Sequence, residues 1–383
     1  MEKSLKPSPG SNPEPLSGVN THSKFYIPSL DGIRIVAFML VFFSHTGIAK
    51  VFPGSFGVTI FFFLSGYLIT TLLRQEYDRD ETINFKLFYL RRILRIWPPF
   101  YLVLCLGAGL TVLKLLDGEI LLPGFLSQFL HYANYYQIFV GRAGETLGSS
   151  VYWSLAVEEH FYLLFPLLYL ALRKLRVSSR RQRLIFWGLC LVVLLWRCVL
   201  VYSFHVPEQR IFFGTDTQVD SILFGCALAV SGNPMLDTQD YSNKLWRYFL
   251  LPLGIIVILF TCISRSPEFR STIRYTIQGF ALYPVFITAI TFPNWGLFAA
   301  LNWKWMRFLG ILSYSLYLTH YTVIFAVWKY LPNLPKVLQA GIALFISLGL
   351  AYLIYKFIEF PLGQLRKKFS RAEKTAFAES RTV

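Results

Sequence analysis

Long apolar runs separated by short polar segments recur along the chain from residue 30 to residue 360. A helix needs about 20 predominantly apolar residues to cross the hydrocarbon core of a bilayer. On that basis the pattern predicts about ten membrane-spanning helices, at residues 30–49, 56–74, 98–116, 151–172, 184–203, 211–231, 246–264, 273–292, 308–329 and 337–359. A shorter amphipathic stretch, 122–140, predicts an interfacial or re-entrant segment. The expected fold is therefore an all-α, polytopic membrane helix bundle.

The apolar runs also divide the chain into three parts. Residues 1–27 are polar and rich in Pro and Ser, which predicts a disordered N-terminal tail rather than a cleavable signal peptide. Residues 28–366 form the predicted transmembrane domain, and residues 367–383 form a short basic tail.

The distribution of Lys and Arg predicts the orientation. Three segments are rich in these residues: 74–95, 173–183 and 366–371. They fall on one side of the membrane if ten spans alternate, and basic loops are usually cytoplasmic, so both termini are expected in the cytoplasm. Arg265 and Arg270 are the exception, because they fall in a loop predicted to face outward.

Composition excludes several classes of protein. The chain of 383 residues is 55% hydrophobic and only 15% charged, which is too apolar for a soluble protein. Its net charge of +16 comes from residues that flank spans, so we expect membrane lipids and not nucleic acid as partners. The five cysteines lie within predicted spans without metal-ligand spacing, and no metal site is expected.

Two polar residues in the first predicted span, Arg34 and His45, are eleven residues apart. Eleven residues return to nearly the same face of a helix, about 16 Å further along its axis. Ionisable residues within spans are costly unless they face a polar interior, so a functional role is the first interpretation. A structural pair that holds helices together is the alternative.

The fourth predicted span carries Glu158 and Glu159 at about the depth of His45. Adjacent helical residues point about 100° apart, so at most one glutamate is expected to face His45. A carboxylate hydrogen-bonded to imidazole would favour a general base that deprotonates a hydroxyl. A buried ion pair or a hydrogen-bonded clamp between helices is the alternative.

Other polar residues within spans are weaker candidates for contacts with a substrate. Asp216 and Asp220 are one helical turn apart, and they could equally bind a sugar hydroxyl or pair with a cation. Tyr317 and His320 belong to a polar stripe that could line a cavity, although a histidine there is as often a hydrogen-bonding residue between helices.

Arg92 and Arg95 lie one turn apart before the third predicted span. Such a pair can bind the phosphates of an anionic ligand by charge-assisted hydrogen bonds. It could equally bind anionic lipid headgroups or simply follow the orientation rule.

Taken together, five motifs resemble the acyltransferase 3 family of integral membrane O-acyltransferases. They occur in order over residues 28–366, and they are Leu30–Arg34 with His45, Gly57 with Phe61–Ile69, Arg92 and Arg95 with Ile96–Pro98, Trp153–Tyr162, and Leu309–His320. Two positions depart from the family pattern: His160 stands where glutamine is usual, and Ile35 where glycine is usual.

The resemblance implies transfer of an acyl group, usually acetyl, from cytoplasmic acyl-coenzyme A to a hydroxyl of a saccharide or glycolipid at the outer face. Carried over by position, it implies that His45, Glu158 and Glu159 are catalytic and that Arg34, Arg92 and Arg95 bind the donor. Trp153, Asp216, Asp220, Tyr317 and His320 are the expected acceptor-binding residues. A bacterial plasma membrane and a stand-alone transferase domain are expected, and a homo-oligomer is compatible with the sequence.

Several alternatives stay open on sequence alone. His45 could act as a base for direct attack on the thioester, or it could form a covalent acyl-histidine intermediate. A proton-coupled or substrate transporter would also place Arg, His and Glu in the membrane, although no convincing inverted repeat supports it. A structural or lipid-binding scaffold is the third class.

Overall fold

The computed structural model describes residues 27–48, 53–239, 241 and 244–369. The predicted N-terminal tail, apart from residue 27, and the basic tail beyond residue 369 lie outside these residues. The described part of the chain is helical, without strands. Its helices are α1 (Pro28–His45), α2 (Gly54–Asp80), α3 (Phe85–Val112), α4 (Leu122–Phe129), α5 (Ala133–Phe139), α6 (Trp153–Lys174), α7 (Ser179–Cys198), α8 (Glu208–Phe213), α9 (Thr215–Val230), α10 (Leu251–Ile263), α11 (Pro267–Ser271), α12 (Arg274–Thr291), α13 (Leu297–Leu301), α14 (Lys304–Tyr330) and α15 (Lys336–Ile354). Wider π-helical turns extend α7 (Val199–Ser203) and α15 (Tyr355–Glu359) and precede α10 (Trp246–Leu250).

Eight helical segments in the described residues are long and apolar enough to cross a membrane. They are Pro28–His45, Gly54–Asp80, Phe85–Val112, Ser149–Lys174, Ser179–Ser203, Trp246–Ile263, Lys304–Tyr330 and Lys336–Phe369. The prediction of an all-α polytopic membrane bundle is therefore confirmed. The count of about ten spans and the cytoplasmic termini stay predictions.

The two expected spans outside this set correspond to α9 and α12. Helix α9 has only 16 residues and is almost wholly buried. It packs mainly against α2 and α7, so its surface contacts protein, and polar side chains are tolerated along it.

The third predicted span begins much earlier than expected. Helix α3 starts at Phe85, where the Asn84 side chain accepts a hydrogen bond from the backbone N–H of Leu87 and so caps the first turn. The third span was predicted to start at Pro98, but Pro98 and Pro99 lie inside this helix. Arg92 and Arg95 consequently project from a rigid helix rather than from a loop.

Helix α1 lies between α2 and α14, and this trio supports the site described below. The α2–α9 contact is also close: a side chain at Gly66 would clash with the carbonyl oxygen of Ile222, and one at Gly225 with that of Phe63. Small residues allow membrane helices to approach closely where large side chains would separate them.

Candidate active site

Two cavities lie toward opposite ends of α1, among helices α1, α2, α6 and α14. The smaller one, called the Glu158 cavity, has a volume of about 120 Å³. Its lining residues are Arg34, Val58, Phe61, Phe62, Leu64, Ser65, Leu68, Arg92, Arg95, Ile96, Ser154, Leu155, Glu158, Glu159, Tyr162, Ser313, Tyr314 and Tyr317. It therefore combines three arginines and two glutamates with a largely apolar wall.

The arginines predicted to bind a donor, Arg34, Arg92 and Arg95, converge on the Glu158 cavity. Arg34 Nη1 donates a hydrogen bond to Asp31 Oδ1 at 2.5 Å. The Arg92 guanidinium lies over the Tyr162 ring, 5.2 Å from its centroid, which fixes the cation without neutralising its charge. The cavity therefore presents positive charge suited to an anionic group.

Glu158 and Glu159 line the same cavity but make different contacts. The Tyr162 hydroxyl donates a hydrogen bond to Glu158 Oε2 at 3.0 Å. Trp97 Nε1 donates to Glu159 Oε2 at 3.5 Å, while the buried Oε1 of Glu159 has no hydrogen-bond partner among the described residues. A buried carboxylate oxygen without a partner is costly, so this atom is available to accept a donor from a ligand.

The larger cavity, called the His45 cavity, has a volume of about 1110 Å³. It lies between α1, α2, the start of α6 and the α10–α12 region. Its polar lining residues include Ser44, His45, Arg142, Arg265, Arg270, Arg274, Gln278, Trp153, Tyr317 and Tyr321. Two residues predicted to contact an acceptor, Trp153 and Tyr317, thus line the cavity that contains His45.

The partner of His45 is His320, and the expectation that Glu158 or Glu159 would orient His45 was wrong. His45 Nδ1 lies 3.0 Å from His320 Nε2, and the His45 ring stacks on Tyr321 with centroids 4.4 Å apart. His45 is the last residue of α1, whereas the glutamates face the other cavity. Ideal helix arithmetic predicted a shared depth, but it could not predict the direction in which each side chain points.

The hydrogen bonds of His320 set the tautomer of the pair. His320 Nδ1 lies 2.8 Å from the Tyr317 carbonyl oxygen, which can only accept, so this nitrogen carries the proton. In an uncharged ring, His320 Nε2 then accepts a hydrogen bond from His45 Nδ1–H. The remaining lone pair of His45, on Nε2, is free to accept a proton.

A thin partition separates the cavities, and Val58 and Tyr317 line both of them. The Tyr317 hydroxyl lies 2.7 Å from Ser154 Oγ and donates to the Val151 carbonyl oxygen at 3.2 Å. These bonds fix the ring at the boundary. A group that reached this partition from the Glu158 cavity would approach the cavity of His45.

Asp216 and Asp220 line neither cavity, and their role as acceptor-binding residues stays a prediction. Asp220 forms a fully buried ion pair with Arg197, with Oδ2 2.6 Å from Nη2. Asp216 pairs with Arg210 at 2.5 Å and accepts a hydrogen bond from Trp196 Nε1 at 2.7 Å. Both carboxylates therefore have structural partners.

His160, one of the two departures from the family pattern, also lines neither cavity. Its Nδ1 lies 2.8 Å from Thr215 Oγ1, and its ring stacks on Tyr135. It is consequently not placed to act as a second base beside His45.

The segment 140–148, next to the His45 cavity, contains the buried Glu145. Both of its carboxylate oxygens lie 3.1 Å from Gln137 Nε2, which donates to them. Burial raises the pKa of Glu145 to about 7, because its effect exceeds the opposite effects of the Gln137 hydrogen bond and of nearby Arg142.

Among the described residues, no cluster of three His, Cys, Asp or Glu side chains is placed to hold a metal ion.

Some lining residues were not among the candidate site residues chosen from the sequence. Tyr162 could have been found, because it follows Glu158 by one helical turn within the same motif. Tyr314 lies within the Leu309–His320 motif, but its hydrogen bond to the Ile96 carbonyl oxygen, at 2.9 Å, could not be predicted because it depends on how α14 packs against α3.

Comparison with known proteins places the sequence in a family. A family model described as an acyltransferase domain matches residues 27–356. A putative O-acetyltransferase of Staphylococcus aureus is 30% identical over 355 residues, covering 88% of this chain and 57% of the relative. The peptidoglycan O-acetyltransferase OatA of Listeria monocytogenes is 30% identical, covering 89% of this chain and 56% of the relative. O-acetyltransferase OatA of Staphylococcus aureus is also 30% identical, covering 92% and 59%.

This chain thus spans between 56% and 59% of the length of these relatives. No solved structure matches it significantly. Because the family model covers most of the chain, including both cavities, the chain belongs to the acyltransferase 3 family.

Proposed function

We propose that the protein is a membrane O-acyltransferase of a bacterial plasma membrane. It moves an acyl group, acetyl in the first instance, from acyl-coenzyme A at the cytoplasmic face to a hydroxyl of a saccharide or glycolipid at the outer face. The observation that carries the proposal is the pair of cavities that meet at Val58 and Tyr317, one with three arginines and one with His45. The O-acetyltransferase names of the relatives support acetyl, and the peptidoglycan relative supports a carbohydrate acceptor.

The donor fits the Glu158 cavity by charge and shape. Arg92, Arg95 and Arg34 bind the phosphates of coenzyme A, since guanidinium groups make bidentate contacts to phosphate oxygens. The narrow cavity admits the pantetheine arm, whose amide N–H groups can donate to the unpartnered Oε1 of Glu159. The thioester then reaches the partition at Tyr317.

The reaction begins on the other side of the partition. His45 Nε2 takes the proton of the acceptor hydroxyl, and the hydroxyl oxygen attacks the thioester carbonyl carbon. The carbon–sulfur bond breaks, the new ester stays with the acceptor, and the coenzyme A sulfur takes the proton. His320 keeps the His45 tautomer that this step requires. Glu158 and Glu159 contact the acyl donor, because they line the Glu158 cavity in which it binds.

Release of coenzyme A thiol from acetyl-coenzyme A tests this proposal. The chain, purified in nanodiscs with candidate glycans, should release thiol, and His45→Ala should lower the rate by about 100-fold or more because the general base is lost. His205→Ala, at an exposed histidine outside both cavities, is the matched control.

Two outcomes would contradict the proposal in different ways. Unchanged turnover by His45→Ala would remove His45 as the base. Absence of thiol release by folded wild-type protein, together with solute uptake by proteoliposomes that lack an acyl donor, would favour the transporter alternative.

A further inference from the structure

Four arginines line the His45 cavity: Arg142, Arg265, Arg270 and Arg274. No Asp or Glu side chain is among its described lining residues. In the predicted topology, Arg265 and Arg270 depart from the usual placement of basic loops on the cytoplasmic side. Topology therefore does not account for their position, and a ligand is a direct explanation.

Arg274 is the most buried of these four arginines. It is only 6% exposed, and it stacks on Tyr275 with its guanidinium 4.7 Å from the ring centroid. Its Nη2 donates a hydrogen bond to the Tyr275 hydroxyl at 2.9 Å, while its buried Nε has no hydrogen-bond partner in the part of the chain that the structure describes. A buried guanidinium with an unpaired donor and no carboxylate partner is costly unless a ligand supplies the acceptor.

The nearby carboxylates do not neutralise the cluster. Glu208 lies 3.4 Å from Arg270, but both side chains are about half exposed, so water screens the pair. Glu145, behind Arg142, has its oxygens directed at Gln137. Glu268, in α11, accepts a hydrogen bond from the Ser266 hydroxyl at the start of that helix. The cavity consequently keeps an excess of positive charge.

We propose that the acceptor carries an oxyanion, a carboxylate or a phosphate, and that these arginines bind it within the His45 cavity. This inference rests on the proposed acyl transfer and specifies its acceptor class. Guanidinium groups bind carboxylate and phosphate by paired hydrogen bonds, which would orient the saccharide as well as hold it. The reacting hydroxyl is then presented to His45, which lines the same cavity.

Binding of matched glycans, measured without an acyl donor, tests the inference independently of turnover. The full chain in phosphatidylcholine nanodiscs is titrated by calorimetry with oligogalacturonate and with its neutral methyl ester. A second pair, maltotriose with and without a terminal phosphate, separates phosphate from carboxylate recognition. In at least one pair, the anionic glycan should bind about tenfold more tightly than its neutral counterpart.

Substitutions assign the preference to the arginines. Arg274→Gln should remove most of that tenfold preference, and Arg274→Lys should retain part of it because the charge remains. Arg181→Gln, at an exposed arginine of the opposite basic segment, is the control and should keep the preference. If Arg274→Gln does not fold, the double variant Arg142→Gln with Arg265→Gln, at two exposed positions, replaces it.

The outcomes separate this inference from the proposed function. Equal binding of anionic and neutral glycans in both pairs, or a preference that survives the arginine substitutions, overturns the inference even if thiol release occurs. An arginine-dependent preference without thiol release supports the oxyanion site and counts against acyl transfer.

Discussion

The two ring nitrogens of His45 have different neighbours, and this difference determines which one can act as a base. Nδ1 is bonded to His320, which is held in turn by the Tyr317 carbonyl oxygen. Nε2 is therefore the nitrogen with a free lone pair. His320 is fully buried and does not line the His45 cavity, so we propose that it positions His45.

The first prediction concerns this positioning role. His320→Asn should lower kcat for thiol release by about tenfold, because one hydrogen bond that fixes the His45 tautomer is lost. The KM for acetyl-coenzyme A should stay nearly constant, since His320 does not line the Glu158 cavity. Steady-state kinetics check both values, and a change confined to KM would contradict the positioning role.

The second prediction concerns pH. Because the pKa of folded Glu145 is about 7 against 4.5 when unfolded, the folded state binds more protons between these values. The free energy of unfolding contributed by this group should therefore fall as pH rises from about 4.5 to about 7. The fall in unfolding temperature between pH 5 and pH 8 should be smaller in Glu145→Gln than in wild type.

The control for the pH experiment is Glu119→Gln, because Glu119 is exposed. Its unfolding temperature should follow wild type at both pH values. An identical pH dependence of Glu145→Gln and wild type would show that Glu145 ionises in the folded protein as it does in the unfolded chain.

At the residue scale, the sequence predicted which side chains lie in the membrane interior but not how they pair. Arg34, Arg92 and Arg95 line one cavity, although the sequence placed Arg92 and Arg95 before a span and not within a helix. Asp220, within a predicted span, pairs with Arg197. Only the packing of α7 against α9 brings that arginine within reach, and no local pattern encodes it.

At the scale of elements, the close contact between α2 and α9 depends on glycine. We predict that Gly66→Ala destabilises the fold by about 1–3 kcal/mol, because the added methyl group would force α9 away through the Ile222 carbonyl. Gly188→Ala in α7 is the matched control, since nothing lies within 4 Å of its added methyl group. Thermal unfolding in detergent compares the two, and equal stability would show that α9 can shift freely.

Helix boundaries show what the apolar pattern could and could not predict. The pattern located the eight long apolar helices of the described residues, because each contains an apolar stretch long enough to cross a bilayer. It placed the start of α3 too late, because the first three turns carry arginines and aromatic residues instead of an unbroken apolar run. It also could not distinguish α9, which is covered by protein, from a helix covered by lipid.

At the scale of the whole molecule, separate cavities predict separate kinetic effects. Arg92→Ala should raise KM for acetyl-coenzyme A by about tenfold or more and leave acceptor KM nearly unchanged. Trp153→Ala should raise the acceptor KM and leave the KM for acetyl-coenzyme A nearly unchanged, since Trp153 lines the His45 cavity and not the Glu158 cavity. Initial rates over a grid of both substrates measure these constants, and parallel changes in both would argue for a single shared pocket.

Arg181→Ala serves as the control for Arg92→Ala, because Arg181 is an exposed arginine within the same basic side of the chain. Neither KM should change in this variant. A rise in donor KM equal to that of Arg92→Ala would indicate general surface charge rather than a specific phosphate contact.

The partition formed by Val58 and Tyr317 also has an electrical consequence. Two water-filled cavities would carry the bulk potentials inward, so most of a membrane voltage would fall across this thin layer. In the proposed reaction, the acceptor's proton leaves the outer side and ends on the coenzyme A sulfur at the inner side. The acyl group crosses the partition outward as the proton crosses inward, so the hydroxyl becomes an uncharged ester outside and the thioester an uncharged thiol inside. A complete turnover therefore moves no net charge, and the membrane voltage should neither favour nor oppose it.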